Sequence, residues 1–179
     1  MNLAPMRRIS VVGSGGSGKT TVARELARRL AIAHVELDAL HWGPEWTPVR
    51  DDIFRARVRE AVATDAWVAD GNYSVVRPIV LDRADTVVWL DLPLRTCIAR
   101  IVRRTAGRVR RGEELWHGNR ESWRSSLFGR DALIWWVISQ HRRKRREYES
   151  RFRSPEHAHL RLVRLRSQRA IDAWLASVE

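Results

Sequence analysis

Residues 8–20 read RISVVGSGGSGKT, and this stretch decides the fold of the chain. Its first part, RISVV, is short, apolar and rich in β-branched residues, which is typical of a buried strand. A turn rich in glycine and serine follows, and the segment after it repeats Val22, Leu26 and Leu30 at a spacing of four. That spacing predicts an amphipathic helix. The sequence therefore predicts a strand, a tight turn and a helix in immediate succession.

The turn fits the pattern G-x4-G-K-[ST], the phosphate-binding P-loop. Glycines let backbone N–H groups curl around phosphate oxygens, and the following helix points its positive dipole end at the same anion. We expect Lys19 to reach the β- and γ-phosphates of a nucleoside triphosphate, and Thr20 to ligate Mg²⁺. The predicted nucleotide-binding residues of this segment are Gly13, Ser14, Gly15, Gly16, Ser17, Gly18, Lys19, Thr20 and Thr21.

Several classes of protein share a P-loop, and the rest of the sequence separates them. A GTPase would be expected to show the guanine-reading pattern N-K-x-D, which this sequence lacks. A mechanical ATPase usually needs more chain than 179 residues. The length therefore favours a small kinase.

Beyond the P-loop, short apolar runs alternate with helical patterns. Strands are predicted at 33–37, 66–70, 85–92 and 159–165, and helices at 51–64, 94–105, 131–152 and after Ser167. This alternation predicts a parallel sheet covered by helices on both faces. Together with the P-loop, it leads us to expect a three-layer α/β P-loop fold with five parallel strands in the order 2-3-1-4-5. Residues 106–129 are rich in arginine and lack periodicity, so we expect a small helical lid inserted into a single domain of residues 1–179.

Composition limits the environment of the protein. No apolar run approaches the roughly 20 residues that span a bilayer, and the N-terminal segment lacks the apolar core of a signal peptide. The single cysteine, Cys97, excludes an internal disulfide framework. We therefore expect a soluble cytoplasmic protein with no membrane partner.

The formal net charge of +12 is concentrated in residues 95–169, which hold 21 basic and 7 acidic residues. Such asymmetry indicates an anionic partner, such as a nucleotide or a nucleic acid. Only Lys19 and Lys144 are lysines, so arginine-rich codon usage is a competing explanation. The basic run 142–146 leaves nucleic-acid binding open. It is not favoured, because no helix-turn-helix or RNA-binding motif accompanies the run.

Three aspartates are predicted at the carboxyl ends of strands, where open α/β sheets bind their ligands. Asp38 follows the second strand, Asp70 ends the third and Asp91 ends the fourth. Asp70 or Asp91 could serve the magnesium site. Asp38 could orient or deprotonate the hydroxyl group of an acceptor.

Two segments resemble the adenylate-kinase-like branch of P-loop kinases. Asp70-Gly71 resembles the D-G pair that ends the third strand in those enzymes, where the acid holds magnesium-bound water, so the resemblance favours Asp70 over Asp91 for the metal. Residues 100–104, RIVRR, resemble the R-I-x-x-R segment that opens the adenylate kinase lid. By position, Arg100 would face the base, and Arg103 or Arg104 the phosphates.

Further motifs resemble the bacterial family named DNA topology modulation proteins. They are LDALHW at 37–42, DGNY at 70–73 and GNRE at 118–121, and the resemblance covers nearly the whole chain. It implies a nucleotide kinase fold, while the family name implies an effect on DNA supercoiling. One departure from adenylate kinases is the absence of F-P-R after Asp70-Gly71, since the next arginine is Arg77.

These patterns together predict ATP- and Mg²⁺-dependent phosphoryl transfer to a small-molecule acceptor. The segment ELDALHWGPEW, 36–46, would wall the acceptor pocket with Trp42 and Trp46, and His41 would contact the acceptor. Two alternatives stay open: a nucleotide-dependent DNA-binding regulator, and an ATP-binding protein with slow hydrolysis only. The candidate catalytic residues are Lys19, Asp38, Asp70, Arg104 and Arg120, with Arg124 as an alternative to Arg120; the metal candidates are Thr20 and Asp70.

Overall fold

The computed structural model describes residues 6–126 and 133–178. Parts of the predicted lid and of the predicted helix 131–152 therefore lie outside the described residues. The strands are β1 (Arg8–Gly13), β2 (Ala33–Glu36), β3 (Trp67–Asp70), β4 (Thr86–Leu90) and β5 (Arg161–Leu165). The helices are α1 (Lys19–Leu30), α2 (Leu37–His41), α3 (Asp51–Ala61), α4 (Arg77–Leu81), α5 (Leu94–Arg111), α6 (Trp123–Ser126), α7 (Leu133–Arg151) and α8 (Gln168–Ala176).

The five strands form one parallel sheet in the order β2-β3-β1-β4-β5, which confirms the predicted order. The central strand β1 pairs with β3 on one side and with β4 on the other. Because all strands run the same way, their carboxyl ends share one edge. Gly13, Glu36 and Asp70 lie along that edge, and so does Asp91 just after β4.

Alternate strand residues pack on the two faces of the sheet. Ile9, Val11 and Val88 join one core cluster with residues of α1, α5 and α8. Trp67 and Trp89 point to the opposite face, where α3, α4 and α7 cover them. Helices on both faces produce the predicted three layers, and both faces of the central strands are buried.

Helix α5 runs six residues further than the predicted helix 94–105 and occupies the start of the predicted lid. Ion pairs stabilise this arginine-rich end of the helix in place of an apolar stripe: Arg104, in the turn before the extension, and Arg108, within it, both pair with Glu121. The helix ends at Gly112, whose left-handed backbone (φ 58°) lets Glu113 N donate to Arg108 O.

The second difference concerns Asp38, which was predicted to lie at the end of a strand. Strand β2 ends at Glu36, and Asp38 lies in the first turn of the short helix α2. The turn is closed by a hydrogen bond from Trp42 N to Asp38 O. The residue that ends β2 and faces the sheet edge is therefore Glu36. Among the described residues, no helix is long and apolar enough to cross a membrane.

The N-terminus of α8 offers a test of the fold. Ser167 caps this helix by accepting a hydrogen bond from Ala170 N at 3.1 Å, as its position in the sequence predicted. Ser167→Ala should lower the free energy of unfolding by about 1 kcal/mol, because one helical N–H group loses its partner. Urea denaturation measures this change. Ser154→Ala is the matched control, since Ser154 precedes a 3-10 turn without a side-chain cap; equal losses in both variants would contradict the assigned cap.

Candidate active site

The glycine-rich loop between β1 and α1 is enclosed by two helices. A Cβ atom on Gly16 would lie 2.4 Å from the carbonyl oxygen of Cys97 in α5, and one on Gly15 would lie 2.6 Å from Val137 Cγ2 in α7. Gly16 also has a φ of +75°. The glycines are therefore required by helix packing as well as by the curled backbone.

Lys19 begins α1 and folds back into the loop. Its ammonium group donates to the carbonyl oxygens of Gly13 and Ser14, each at 3.1 Å. Burial lowers the pKa of Lys19, while the negative charges of Asp38 and Asp70 raise it. The ammonium group of Lys19 is therefore stabilised by loop carbonyl groups and by the negative charges of Asp38 and Asp70.

Asp70 joins α1 to the end of β3. Its Oδ2 accepts a hydrogen bond from Thr20 Oγ1 at 2.7 Å, and its Oδ1 lies 2.8 Å from Nε2 of His34 on β2. The side chain is only 3% exposed. A hydroxyl and a carboxylate oxygen are hard ligands of the kind that Mg²⁺ takes up together with phosphate oxygens, so this pair fits a magnesium ion.

Asp91, the alternative acid, has different partners. Its carboxylate pairs with Arg164 at 2.6 Å and with Arg145 at 3.2 Å. These two arginines, with Arg166 at 3.8 Å, compensate this buried charge, and Thr20 bonds to Asp70 rather than to Asp91. The role as a magnesium-site acid is better matched by Asp70.

Asp38 faces the same edge from α2. Tyr73, which follows β3, donates its hydroxyl to Asp38 Oδ1 at 2.6 Å. Burial and the charge of Asp38 raise the pKa of Tyr73, so the phenol remains a donor. The ring of His41 packs against that of Tyr73 at a centroid distance of 4.4 Å. Burial lowers the pKa of His41, which favours the neutral ring.

Two loops contact each other beside Asp38. Asn119 is buried and donates to Gly43 O at 2.8 Å, while its Oδ1 accepts from Trp46 N at 2.9 Å. The Trp46 and Trp116 rings meet edge to face. We call these contacts between 43–46 and 116–119 the tryptophan clasp. It joins the predicted acceptor segment to the predicted lid.

The clasp also involves an acid that the sequence analysis missed. Trp116 Nε1 donates to Glu36 Oε2 at 3.3 Å. Burial and then the charge of Asp70 raise the pKa of Glu36. The sequence could have indicated Glu36, since an acid at the end of a strand faces the ligand-binding edge of the sheet. The second strand was predicted to end at residue 37, one residue too late, so Glu36 was overlooked.

Of the predicted lid arginines, the structure brings Arg104 to the site. Burial lowers its pKa, whereas the charges of Glu121 and Asp38 raise it, and its charge in turn lowers the pKa of Lys19. The Arg120 side chain is 61% exposed and pairs with Glu114 instead. Arg124 is exposed as well, and the Arg104 side chain is itself 38% exposed. Only Arg104 among these three shares the electrostatic environment of Lys19 and Asp38.

Arg100 contacts the Ser17 end of the glycine-rich loop, opposite the end at Gly13 and Ser14 that Lys19 contacts. Its Nη1 donates to Ser17 O at 2.9 Å, and its Nη2 donates to Gln168 Oε1 at the start of α8. Its guanidinium therefore bridges the P-loop and the segment after β5.

Contacts from α7 to the P-loop were also missed from the sequence. His141 Nδ1 lies 2.9 Å from Ser14 Oγ, and Tyr148 donates its hydroxyl to Asn72 Oδ1 at 2.9 Å. The Asn72 amide in turn bonds to both the N–H and the carbonyl of Gly13. Of the basic run 142–146, only Lys144 is partly buried; its four arginines are exposed, although Arg145 also pairs with Asp91.

The overall architecture is shared with solved enzyme structures. A shikimate kinase from Acinetobacter baumannii, in complex with shikimate, matches with a TM-score of 0.56 and 20% identity, over 94% of this chain and 88% of that one. The chain has the fold of the P-loop kinases.

Other structures with this fold agree equally well. A shikimate kinase from Bacteroides thetaiotaomicron gives a TM-score of 0.55 at 18% identity, over 96% of this chain and 95% of that one. A gluconokinase from Sinorhizobium meliloti 1021 gives 0.53 at 19% identity, over 95% and 91%. No known family model and no curated protein matches the sequence.

The tryptophan clasp can be tested by removing its buried amide. Asn119→Ala should lower the free energy of unfolding by about 1–3 kcal/mol, because Gly43 O and Trp46 N lose their partner. The near-ultraviolet circular dichroism of the tryptophans should change as well. Glu114→Gln, which removes an exposed ion pair, is the control and should cost less than about 1 kcal/mol. Unfolding curves that coincide for the two variants would refute the clasp.

Proposed function

We propose that this protein transfers the γ-phosphoryl group of ATP to a small-molecule acceptor in a Mg²⁺-dependent reaction. The observation that carries this proposal is the Thr20–Asp70 hydrogen bond of 2.7 Å at the P-loop, with Lys19 and Asp38 in the same electrostatic environment. The kinase fold supports it, because the structural neighbours are enzymes named for phosphorylating small acceptors.

On the nucleotide side, the loop 13–18 and the N-terminus of α1 would bind the phosphates through backbone N–H groups. Lys19 would exchange its two carbonyl partners for phosphate oxygens. Arg100 on α5 bridges the P-loop and the start of α8 and would face the base.

Thr20 and Asp70 would hold the magnesium ion. When bound, the ion would supply positive charge that neutralises part of the charge of the phosphates. Asp70 is oriented for this by His34 through its second oxygen. A carboxylate that is fixed at both oxygens needs little reorganisation on binding, which favours a preformed site.

On the acceptor side, Asp38 would orient the hydroxyl group and accept its proton. Tyr73 holds the carboxylate through Oδ1, and the neutral ring of His41 lies beside it. Arg104 would stabilise the negative charge on the transferring phosphoryl group. Its carboxylate partner Glu121 keeps the guanidinium in place at 3.2 Å.

The size of the acceptor is limited by the tryptophan clasp. Trp42, Trp46 and Trp116 form a chain of edge-to-face contacts across the acceptor segment. Such bulk favours a closed pocket for a small molecule over an open groove for a polymer. Suitable trial acceptors are sugars, hydroxy acids such as shikimate and gluconate, and nucleoside monophosphates.

The role of Asp38 gives a direct test of the proposal. ATP consumption should rise when the correct acceptor is present in a panel of these compounds. With that acceptor, Asp38→Asn should lower kcat by about 10²–10⁴-fold, because the general base is lost. The affinity for ATP should stay unchanged.

Asp82→Asn is the control for Asp38→Asn. Asp82 is exposed at the end of α4, and its substitution should leave kcat unchanged. An Asp38→Asn variant with wild-type kcat would exclude Asp38 as the base. A wild-type protein whose ATP consumption responds to no acceptor would count against transfer and in favour of hydrolysis only.

A further inference from the structure

The chain has only two lysines, Lys19 and Lys144, and its other Lys/Arg positions are all arginine. Lys19 belongs to the P-loop. Lys144 lies in α7, inside the run RRKRR, and its side chain is partly buried while both preceding arginines are exposed. The position of Lys144 on the helix explains the difference.

Lys144 belongs to the stripe of α7 that faces the P-loop. Val137 fills the space that a Cβ atom on Gly15 would occupy. His141 lies 2.9 Å from Ser14 Oγ, and Tyr148 donates a hydrogen bond to Asn72. Residues 137, 141, 144 and 148 are spaced by four, three and four, so they share one helix face. Lys144 lines a small pocket together with Ser14, His141 and Tyr148.

The ammonium group of Lys144 lacks a carboxylate partner within the part of the chain that the structure describes. Its Nζ lies 4.1 Å from the centroid of the Trp136 ring, and no ion pair or hydrogen bond involves it within residues 6–126 and 133–178. The nearby acids are already engaged: Glu147 pairs with Arg77, and Asp91 with Arg145.

The surroundings of Lys144 are strongly positive. Burial, and then the charges of Lys19 and Arg77, lower the pKa of Lys144 to about 8. A partly desolvated cation without a counterion is costly. The titratable and charged groups around it are Lys19, Arg77, Glu147 and Arg143, together with Asp91, His141, Arg145 and Tyr148, which share its pocket.

These observations point to an anion as the missing partner. We propose that Lys144 binds the γ-phosphate of the nucleotide, so that Lys144 from α7 and Lys19 from α1 hold the same phosphate group. This inference rests on the proposed function, because it takes the P-loop ligand to be ATP. It assigns to α7 a direct role in distinguishing a triphosphate from a diphosphate.

The γ-phosphate is favoured over the other phosphates by position. Lys144 lies on the Ser14 side of the loop and shares the electrostatic environment of Lys19, and a P-loop lysine reaches the β- and γ-phosphates. Arg100 lies on the Ser17 side. The two cations outside the loop thus flank opposite ends of the bound phosphates.

A lysine suits this position better than an arginine. An ammonium group is a compact point charge whose pKa shifts readily on burial, whereas guanidinium stays charged. Without nucleotide, part of the Lys144 population is neutral near pH 8, which limits repulsion from Lys19. Phosphate binding favours the charged form, so binding of ATP should take up protons near this pH.

Equilibrium binding of Mg²⁺ complexes with ADP and with a non-hydrolysable ATP analogue tests the inference. Lys144→Met should weaken binding of the analogue by about 10–100-fold, because a charge-assisted bond to phosphate is lost. ADP binding should change by less than about threefold. Arg143→Met removes a neighbouring exposed charge and should affect both ligands equally and weakly.

The dependence on pH provides a second readout. Between pH 7 and pH 9, the wild-type preference for the analogue over ADP should fall, because Lys144 loses its proton as the pH rises through about 8. Lys144→Arg should keep more of the preference at pH 9, and Lys144→Met should show a smaller preference that changes little between the two pH values. Thermal unfolding of each variant checks that the fold is intact.

The outcomes separate the two proposals. If the wild type binds ATP but Lys144→Met keeps its preference and its pH dependence, the inference about Lys144 is wrong and the proposed function stands. Equal weakening of both ligands would also overturn it, since Lys144 would then not distinguish the γ-phosphate. A wild-type protein that binds neither nucleotide would overturn both.

Discussion

The close packing of α5 and α7 against the glycine-rich loop is the constraint on which the site depends. Gly15 and Gly16 leave no room for a Cβ atom between the loop and these helices. Asn72 ties Gly13 to the end of β3 and, through Tyr148, to α7. The loop is therefore shaped before any ligand binds, and its backbone N–H groups need little reorganisation to receive an anion.

Charge balance organises the rest of the site around this loop. Acids at the carboxyl edge of the sheet face cations from α1, α5 and α7, and most of these cations already have a carboxylate partner: Arg104 pairs with Glu121, and Arg145 with Asp91. Lys19 is held by carbonyl oxygens and Lys144 by an aromatic ring. Both lysines could therefore take a phosphate as their counterion without breaking an ion pair, and so could Arg100, whose partners are Ser17 O and Gln168 Oε1.

The sequence predicted the local features of this arrangement and missed the distant ones. The alternation of strands with helices and the P-loop followed from periodicity and from glycine spacing, which are encoded within a few residues. The approach of α7 to Ser14, and of Asn119 to Gly43, joins residues more than 70 positions apart. The predicted end of α5 was wrong because Arg104 and Arg108 stabilise the helix through Glu121 rather than through an apolar stripe.

The fate of the γ-phosphate tests the central claim most directly. ATP labelled at the γ-phosphate would be incubated with Mg²⁺, the protein and mixed small metabolites, and the labelled products separated by chromatography and mass. We expect the label in an organic phosphate, with transfer lost in Lys19→Ala and retained when exposed Arg24 on the same helix is replaced by alanine. Label found only in inorganic phosphate, or transfer that survives Lys19→Ala, would contradict the account.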